Sequence, residues 1–250
     1  MKLISLNNWG GRLFEPIMEF FKKHSREIDI FCLQEVLNNP AKIKSVMKHL
    51  TQQGTSREDN YKEISTTLSK FEAYMAPRQN NEGLAMFIKK DISIKTINDI
   101  FVYRWKNAMV NNDGSTYGVN LQYAKIEKGG HNYLISNLHG HWEPGYKDDS
   151  PPRLEQSQNI KKFLSSVSGP KILCGDFNLA PDTQSIKTLE DSGMRNLIKE
   201  YGITSTRSHF YTKKVKFADY ILVSPEVTVK NFEVLQDVVS DHLPLFLEFN

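Results

Sequence analysis

The segment Val238–Phe249 reads VVSDHLPLFLEF and decides how this part of the chain folds. Its apolar residues recur at every second position, at Leu243, Leu245, Leu247 and Phe249. A period of two predicts a half-buried strand. Asp241 and His242 stand directly before the first of these leucines. The segment therefore predicts a core strand that carries an acid and an imidazole at its entrance.

Other short runs rich in Ile, Val, Leu, Phe and Tyr, bounded by turn residues, also predict strands. These runs are Lys2–Asn7, Ile28–Gln34, Gly83–Ile88, Val119–Ile126, Tyr133–Asn137, Lys171–Cys174, Tyr220–Val223 and Val227–Leu235. Helical periodicity instead marks Glu15–Lys23, Ala41–Gln53, Arg153–Ser165 and Gln184–Asp191. This order of strands and helices predicts mixed sheets with helices on their outer faces.

Length and composition favour one globular domain. The chain has 250 residues, of which 39% are hydrophobic and 24% charged, so a sizeable core can be buried. No stretch rich in Pro, Gly or Ser divides it, and we expect a single domain over residues 1–250. No run approaches about 18 apolar residues and no signal-like segment opens the chain, which predicts a cytoplasmic monomer without a membrane anchor. Cys32 and Cys174 lack CxxC spacing, which disfavours a disulfide framework and a zinc site.

The distribution of charge along the chain is more informative about binding partners than the net charge. A net charge of +3 does not by itself indicate a nucleic-acid partner. The segments Phe101–Lys106 and Arg207–Lys216 interleave cations with aromatic residues. Such loops can hold phosphates and stack on bases, although a solvated hairpin tip has the same composition. Both interpretations stay open at this point.

Polar side chains stand at the ends of several predicted strands. They are Asn7, Glu35, His139, Asp176, Asn178, Asp219, Asp241 and His242. Each alone has a structural explanation, such as a turn at Asn7, a solvated strand end at Gln34–Glu35 or a helix cap at Asp176–Asn178. Together they are typical of a site assembled from rigid strands that converge at one edge of a sheet.

The composition of this set favours one kind of chemistry. Carboxylate and amide oxygens without an accompanying cysteine are ligands for a hard cation, which predicts Mg²⁺ or Mn²⁺ rather than Zn²⁺. His139 and His242 can move protons near neutral pH. A hard cation, an acid–base pair and amide donors are what in-line displacement at phosphorus requires. The set predicts a metal-dependent phosphoesterase.

The same residues, in the same order, resemble the motifs of the endonuclease/exonuclease/phosphatase superfamily over residues 3–246. Besides the opening strand with Asn7, the motifs are Gln34-Glu35-Val36, Asn137-Leu138-His139, Gly175-Asp176-Phe177-Asn178, Asp219-Tyr220-Ile221 and Ser240-Asp241-His242-Leu243-Pro244. The resemblance implies the deoxyribonuclease I-like fold, a four-layer α/β sandwich of two packed mixed β-sheets flanked by helices. It also implies that the site lies at one edge of the sandwich.

The resemblance implies a role for the acidic and amide residues. Glu35 is similar to the principal Mg²⁺ ligand of the family, with Asn7 and Asp241 near the ion. Asp176 resembles the carboxylate that orients or activates water. Asn178 resembles a donor to a phosphate oxygen.

It implies roles for the histidines as well. His242, paired with Asp219, resembles a general base or an imidazole that faces the phosphate, and whether His242 or Asp176 acts as the base stays open. His139 resembles the histidine that protonates the leaving oxygen. Glu82 falls where such family members place its carboxylate partner.

Two specialised substrate classes are disfavoured, because residues typical of their enzymes are missing beside the motifs. Leu179-Ala180-Pro181 follow the Asp176–Asn178 motif where inositol 5-phosphatases typically have an aromatic residue and Arg. Lys216-Phe217-Ala218 stand where apurinic endonucleases typically have Trp-Arg. The aromatic and cationic segments favour hydrolysis of phosphodiester bonds in nucleic acid. The alternatives are a phosphatase or phospholipase C-type enzyme acting on a small-molecule, inositol or sphingolipid phosphate, and a non-catalytic binding protein.

Overall fold

Twelve strands and five α-helices occur in the residues that the computed structural model describes, 1–38, 59–79, 82–105 and 118–250. The strands are β1 (Lys2–Asn7), β2 (Ile30–Leu37), β3 (Phe71–Gln79), β4 (Glu82–Lys89), β5 (Ser93–Tyr103), β6 (Val119–Lys128), β7 (His131–His139), β8 (Lys171–Asp176), β9 (Arg195–Asn196), β10 (Asp219–Val223), β11 (Val229–Val234) and β12 (Leu245–Phe249). The helices are α1 (Phe14–His24), α2 (Asn60–Thr67), α3 (Pro151–Ser165), α4 (Gln184–Glu190) and α5 (Leu197–Glu200). None of these helices is long and apolar enough to cross a membrane.

The strands form two mixed sheets of six strands each. Their orders are β11-β12-β1-β2-β4-β3 and β5-β6-β7-β8-β10-β9. One parallel pair lies near the middle of each sheet, β1 with β2 and β7 with β8. The predicted fold class, two packed mixed sheets flanked by helices, is confirmed.

Alternation along β1 separates the core into two layers. Leu3 packs in the cluster that joins the two sheets, whereas Ile4 and Leu6 pack in the cluster beneath α1 and α2. Because side chains of a strand alternate between its faces, Asn7 lies on the same face as Leu3, towards the second sheet. The strand thereby delivers a polar side chain to the space between the sheets.

Helices cover the outer face of each sheet. Phe21 of α1 meets Phe31 of β2 edge to face, with ring centroids 5.4 Å apart. On the second sheet, Ile160 of α3 and Leu189 of α4 join the same core as Leu173 of β8. Local signals place these helices: α3 begins with prolines, which suit the first helical turn, and Thr183 accepts a hydrogen bond from the backbone of α4 as its N-cap.

The strands that were not predicted are β3, β5 and β9, and each lies at the edge of its sheet. An edge strand has one side without a neighbour, so its sequence need not be a continuous apolar run. In β5 most side chains are exposed or half-buried. The short helices α2 and α5 were also not predicted. The whole of the predicted helix Ala41–Gln53 lies outside the described residues.

Leu247 tests whether β12 is a core strand. Its side chain is fully buried and its strand pairs with both β1 and β11. Leu247→Ala is expected to lower the free energy of unfolding by about 2–5 kcal/mol, because it leaves a cavity between the sheets. Denaturant titration measures the change, with Glu248→Gln on the same strand as the control, expected within about 0.5 kcal/mol of the wild type. Equal, small effects of the two substitutions would contradict a core role for the strand.

Candidate active site

Strand ends from both sheets meet around Asp176. His139 at the end of β7 is in register with Asp176 at the end of the parallel strand β8. Asp219, which begins β10, is in register with Asp176 from the other side. Nδ2 of Asn7, at the end of β1, donates hydrogen bonds of 3.0 Å to Glu35 Oε1 and to Asp176 Oδ2. The edges of the two sheets are thereby joined by one amide.

A bulge in β2 presents Glu35 to the site. The pairing with β4 breaks between Leu33 and Val36, and Glu35 has a φ of 52°, a left-handed conformation that is uncommon outside glycine. The preceding Gln34 is fully buried and donates from Nε2 to Asn137 Oδ1 at 2.7 Å, across the space between the sheets. A solvated strand end is therefore the wrong explanation for Gln34–Glu35.

His242 and Asp219 form a buried pair. Nδ1 of His242 donates to the two carboxylate oxygens of Asp219 at 2.7 and 2.9 Å, and Thr206 Oγ1 donates to Asp219 Oδ2 at 2.8 Å. A carboxylate at Nδ1 keeps the proton there, so Nε2 of neutral His242 carries the lone pair, and Arg207 Nη1 contacts it. Nε2 lies 3.5 Å from Asp176 Oδ2.

Charge around His242 changes its pKa. Burial lowers this pKa, and so does the Arg207 guanidinium, but the carboxylates of Asp219, Asp241 and Asp176 outweigh both and raise it above the ordinary value. Nη1 of Arg207 contacts His242 Nε2 and donates to Asp241 Oδ2 at 2.9 Å. Asp241, predicted to lie near a metal ion, is thus paired with a cation here.

His139 and Glu82 form a second, looser pair. His139 Nδ1 lies 3.5 Å from Glu82 Oε1, and Glu82 also receives two hydrogen bonds from Arg78 Nη2 at 3.1 and 3.2 Å. Burial raises the pKa of Glu82, but Arg78 and His139 outweigh burial and lower this pKa to about 2. Nε2 of His139 lies 3.8 Å from Glu35 Oε1 and 3.9 Å from Asp176 Oδ2. An ionised Glu82 therefore lies beside Nδ1 of His139.

Asn178 is held beside Asp176 rather than capping a helix. Its backbone N–H donates to Asp176 Oδ1 at 2.8 Å, and its Nδ2 donates to the carbonyl of Gly140 at 3.1 Å. Its Oδ1 accepts a hydrogen bond from Lys147 Nζ. The helix-cap explanation is wrong, because α4 begins only at Gln184. The Asn178 amide carries a second N–H besides the one donated to Gly140.

The loop between β7 and α3 carries residues that the motifs did not identify. Buried Arg153 donates to the carbonyl oxygens of His141, Tyr146 and Asp148, at 3.2, 3.1 and 2.6 Å, and so ties the loop down. The ring of His141 packs edge to face on Tyr103, and burial lowers its pKa to about 4. His141 is thus part of the packing of this loop, whereas His139 faces the acids.

A cleft of about 1240 Å³ opens over these residues. Its lining includes Glu35, Glu82, Asp176, Asp241, His139 and His242. Aromatic and cationic side chains also line it, namely Trp9, Arg12, Trp142, Tyr146, Lys147, Arg207, Tyr211, Lys213 and Lys214. The segment Arg207–Lys216 therefore contributes to the cleft wall. None of the residues 101–105 lines it, and Lys106 lies outside the described residues.

The oxygen donors of the site suit a divalent cation. Glu35 and Asp176 approach each other closely enough to share one amide N–H₂ group. Asp176, Asp219 and His242 also offer ligand atoms within 4.8 Å of one another. In that second group, however, Nδ1 of His242 is engaged by Asp219 and the Arg207 guanidinium contacts Nε2, so a metal ion there would be repelled. Hard oxygen ligands without thiolates match Mg²⁺ or Mn²⁺.

Acids, amides and histidines gathered at one edge of a two-sheet sandwich are typical of hydrolases that act on phosphate esters. The family model described as the Endonuclease/Exonuclease/phosphatase family matches residues 6–242, nearly the whole chain. The chain belongs to this family. No curated protein matches it by sequence.

Solved structures share the fold at low sequence identity. A mannosyl-6-phosphatase of Bacteroides thetaiotaomicron superimposes with a TM-score of 0.76 at 19% identity, covering 100% of this chain and 99% of that one. The human nocturnin catalytic domain gives 0.69 at 18% identity, covering 100% and 94%. TDP2 of D. rerio, in complex with a single-strand DNA product, gives 0.70 at 13% identity, covering 100% and 98%. At these identities the likeness is one of fold.

Proposed function

We propose that the protein, as a single domain over residues 1–250, is a Mg²⁺- or Mn²⁺-dependent enzyme that hydrolyses phosphodiester bonds in nucleic acid. One observation carries the proposal. Nε2 of His242 and Nε2 of His139 lie 3.5 and 3.9 Å from the same oxygen of Asp176, and each ring has a carboxylate at its Nδ1. Two histidines supported in this way are suited to remove one proton and donate another at a shared reacting centre.

His242 is the better of the two candidate bases. Burial raises the pKa of Asp176, but His242, Lys147 and His139 outweigh burial. The pKa of this carboxyl therefore lies well below its usual range. A carboxylate with so low a pKa is a weak base near neutral pH. Once the Arg207 contact with Nε2 is released, Nε2 of His242 takes the proton of the attacking water, while Asp176 accepts a hydrogen bond from that water and orients it.

His139 acts on the leaving side. Protonated His139 is stabilised by ionised Glu82 at its Nδ1, and its Nε2 is directed towards Glu35 and Asp176. From there it donates a proton to the leaving oxygen. The remaining N–H of Asn178 donates to a non-bridging oxygen of the phosphate.

Glu35 is proposed as the principal metal ligand, with Asn7 beside it. The bulge at Glu35 and the amide shared with Asp176 bring the oxygen donors together. A bound Mg²⁺ or Mn²⁺ supplies neutralisation of the charge that develops on the phosphate and the leaving oxygen. Asp241 is available to the ion once its pairing with Arg207 is released.

The cleft wall supports an extended, polyanionic substrate. Trp142 and Tyr146 expose 44% and 61% of their surface, and aromatic faces of this kind can stack on bases. The ring of Tyr211 lies 4.2 Å from the Arg207 guanidinium carbon, and Lys213 and Lys214 follow it on the rim. Cations alternating with aromatic rings are typical of surfaces that bind single-stranded nucleic acid.

Lys213 and Lys214 test the nucleic-acid assignment. The double substitution Lys213→Ala/Lys214→Ala is expected to reduce the slope of log affinity against log salt by about 1.4, because about 0.7 is lost for each phosphate contact on a single strand. Fluorescence anisotropy of a labelled oligonucleotide at several salt concentrations measures the slope. Hydrolysis of bis(p-nitrophenyl) phosphate, which is too small to reach the rim, is expected to stay within about twofold of the wild type. An unchanged slope would count against a rim that binds nucleic acid.

A small-molecule phosphate ester is the second candidate substrate. It is favoured by the buried Lys147 at the cleft and by the likeness in fold to a mannosyl-6-phosphatase. A panel of single-stranded DNA, plasmid, sphingomyelin, inositol phosphates and p-nitrophenyl phosphate separates the classes. Activity on monoesters alone would refute the nuclease assignment.

A further inference from the structure

Lys147 is a buried lysine in the wall of the cleft. It lies in the loop between β7 and α3, and only 8% of its surface is exposed. Neither its position nor its neighbours in sequence belong to any of the strand-end motifs. A buried ammonium is costly unless other groups pair with it, so its surroundings indicate its role.

The ammonium is only partly satisfied by the protein. Its hydrogen-bond partner is the neutral amide oxygen Oδ1 of Asn178. In the parts of the chain that the structure describes, no carboxylate oxygen forms an ion pair with Nζ within 4.0 Å. An ammonium has three N–H donors, so donors remain for a group that enters the cleft. Burial lowers the pKa of Lys147 to about 8, which Asp176 opposes, and the side chain is still mainly charged at pH 7.

The surroundings also hold this cation in one place. The carbonyl of Lys147 accepts from Ala180 N–H at 2.7 Å, and Arg153 binds the carbonyl oxygens of Tyr146 and Asp148 on either side of it. Asn178, which receives the ammonium, is itself fixed by its hydrogen bonds to Gly140 and Asp176. A donor fixed before the substrate arrives loses little on binding and stabilises charge strongly.

We propose that Lys147 donates from Nζ to a non-bridging oxygen of the scissile phosphate, and that Asn178 positions the ammonium for this contact. The inference rests on the proposed function and adds a phosphate-binding residue to that site. Arg207 lines the same cleft and carries the same charge, and both cations interact with Asp176. A phosphate between them offsets the repulsion of the two cations, which a neutral substrate does not.

The test is the binding of inorganic phosphate to metal-free protein, which separates the lysine from any metal contact. In EDTA, phosphate is expected to raise the Tm of the wild type, and titration calorimetry gives its Kd. Lys147→Met is expected to weaken phosphate binding by about 10- to 100-fold, the loss of one hydrogen bond to a charged group. The matched control is Lys89→Met, since Lys89 is half-buried, pairs with Asp29 at 3.6 Å and does not line the cleft.

The outcomes are distinct. A Kd for phosphate within twofold of the wild type in Lys147→Met, or no phosphate binding by the metal-free wild type, would overturn the inference. If Lys147→Met does not fold, Lys147→Gln provides the same comparison, because it too removes the charge. A wild type that hydrolyses no phosphate ester, yet binds phosphate through Lys147, would refute the proposed function and leave the anion site standing. An active enzyme whose phosphate affinity is unchanged by Lys147→Met would overturn the inference and leave the proposed function standing.

Discussion

Replacement of His242 by alanine is expected to lower kcat/KM for bis(p-nitrophenyl) phosphate by about 10²- to 10⁴-fold, the usual contribution of a positioned general base. The reason is the geometry of its ring. Asp219 holds the proton on Nδ1, and Nε2 lies 3.5 Å from Asp176, so removing the ring leaves no group of suitable basicity at that position. Initial rates at saturating Mg²⁺ measure the loss.

The control is His131→Ala, which removes an exposed histidine at the start of β7 and is expected to leave the rate unchanged. Asp219→Asn should reproduce much of the loss, since an amide no longer favours the same tautomer. Because the two residues act as a unit, the double variant His242→Ala/Asp219→Asn should be little slower than His242→Ala alone. Additive losses would show that the residues do not work as a pair.

Substitution of Glu35 by glutamine is expected to have the other large effect. Glu35 of β2 lies at a bulge, lines the cleft and has 32% of its side chain exposed. Losing its charge removes the strongest oxygen ligand that we assign to the ion. We expect kcat/KM with Mg²⁺ to fall by about 10²-fold or more.

Metal binding provides a readout that is independent of turnover. Mn²⁺ is expected to raise the Tm of the wild type, since a ligand that binds only the folded state stabilises it. Glu35→Gln should lose most of this rise, while Glu233→Gln, on β11 and outside the cleft, should keep it. An equal rise in both variants would show that the ion binds elsewhere, and the Asp176, Asp219 and His242 group would then be the next position to test.

The interior strands and the edge strand β11 could be predicted from the sequence, whereas the edge strands β3, β5 and β9 could not. The apolar runs of β1, β8 and β12 are buried on both sides by neighbouring strands, so period and composition were sufficient. β5 keeps lysine, asparagine and aspartate among its apolar residues because one of its sides has no partner strand. β12 begins two residues later than expected, because the Leu243 N–H donates to the Thr206 carbonyl instead of to a neighbouring strand.

The convergence of polar strand ends could also be predicted, because parallel neighbours place their carboxyl ends at one edge. The contacts of Lys147 and Arg207 could not. Lys147 stands between Tyr146 and Asp148 in a stretch that reads as a solvated loop, and its burial depends on Arg153 and on Asn178 from another strand end. Arg207 had a partial signal, the cationic and aromatic segment that it begins, but its contact with His242 follows from tertiary structure alone.

The most direct test of the proposed site is the rate of bis(p-nitrophenyl) phosphate hydrolysis by the wild type with Mg²⁺, with EDTA, and with Mg²⁺ in the His242→Ala variant. The expected result is hydrolysis by the wild type with Mg²⁺ and a rate lower by about 10²-fold or more in the other two samples. Equal rates in all three samples would contradict a metal-dependent phosphoesterase at this edge of the sandwich.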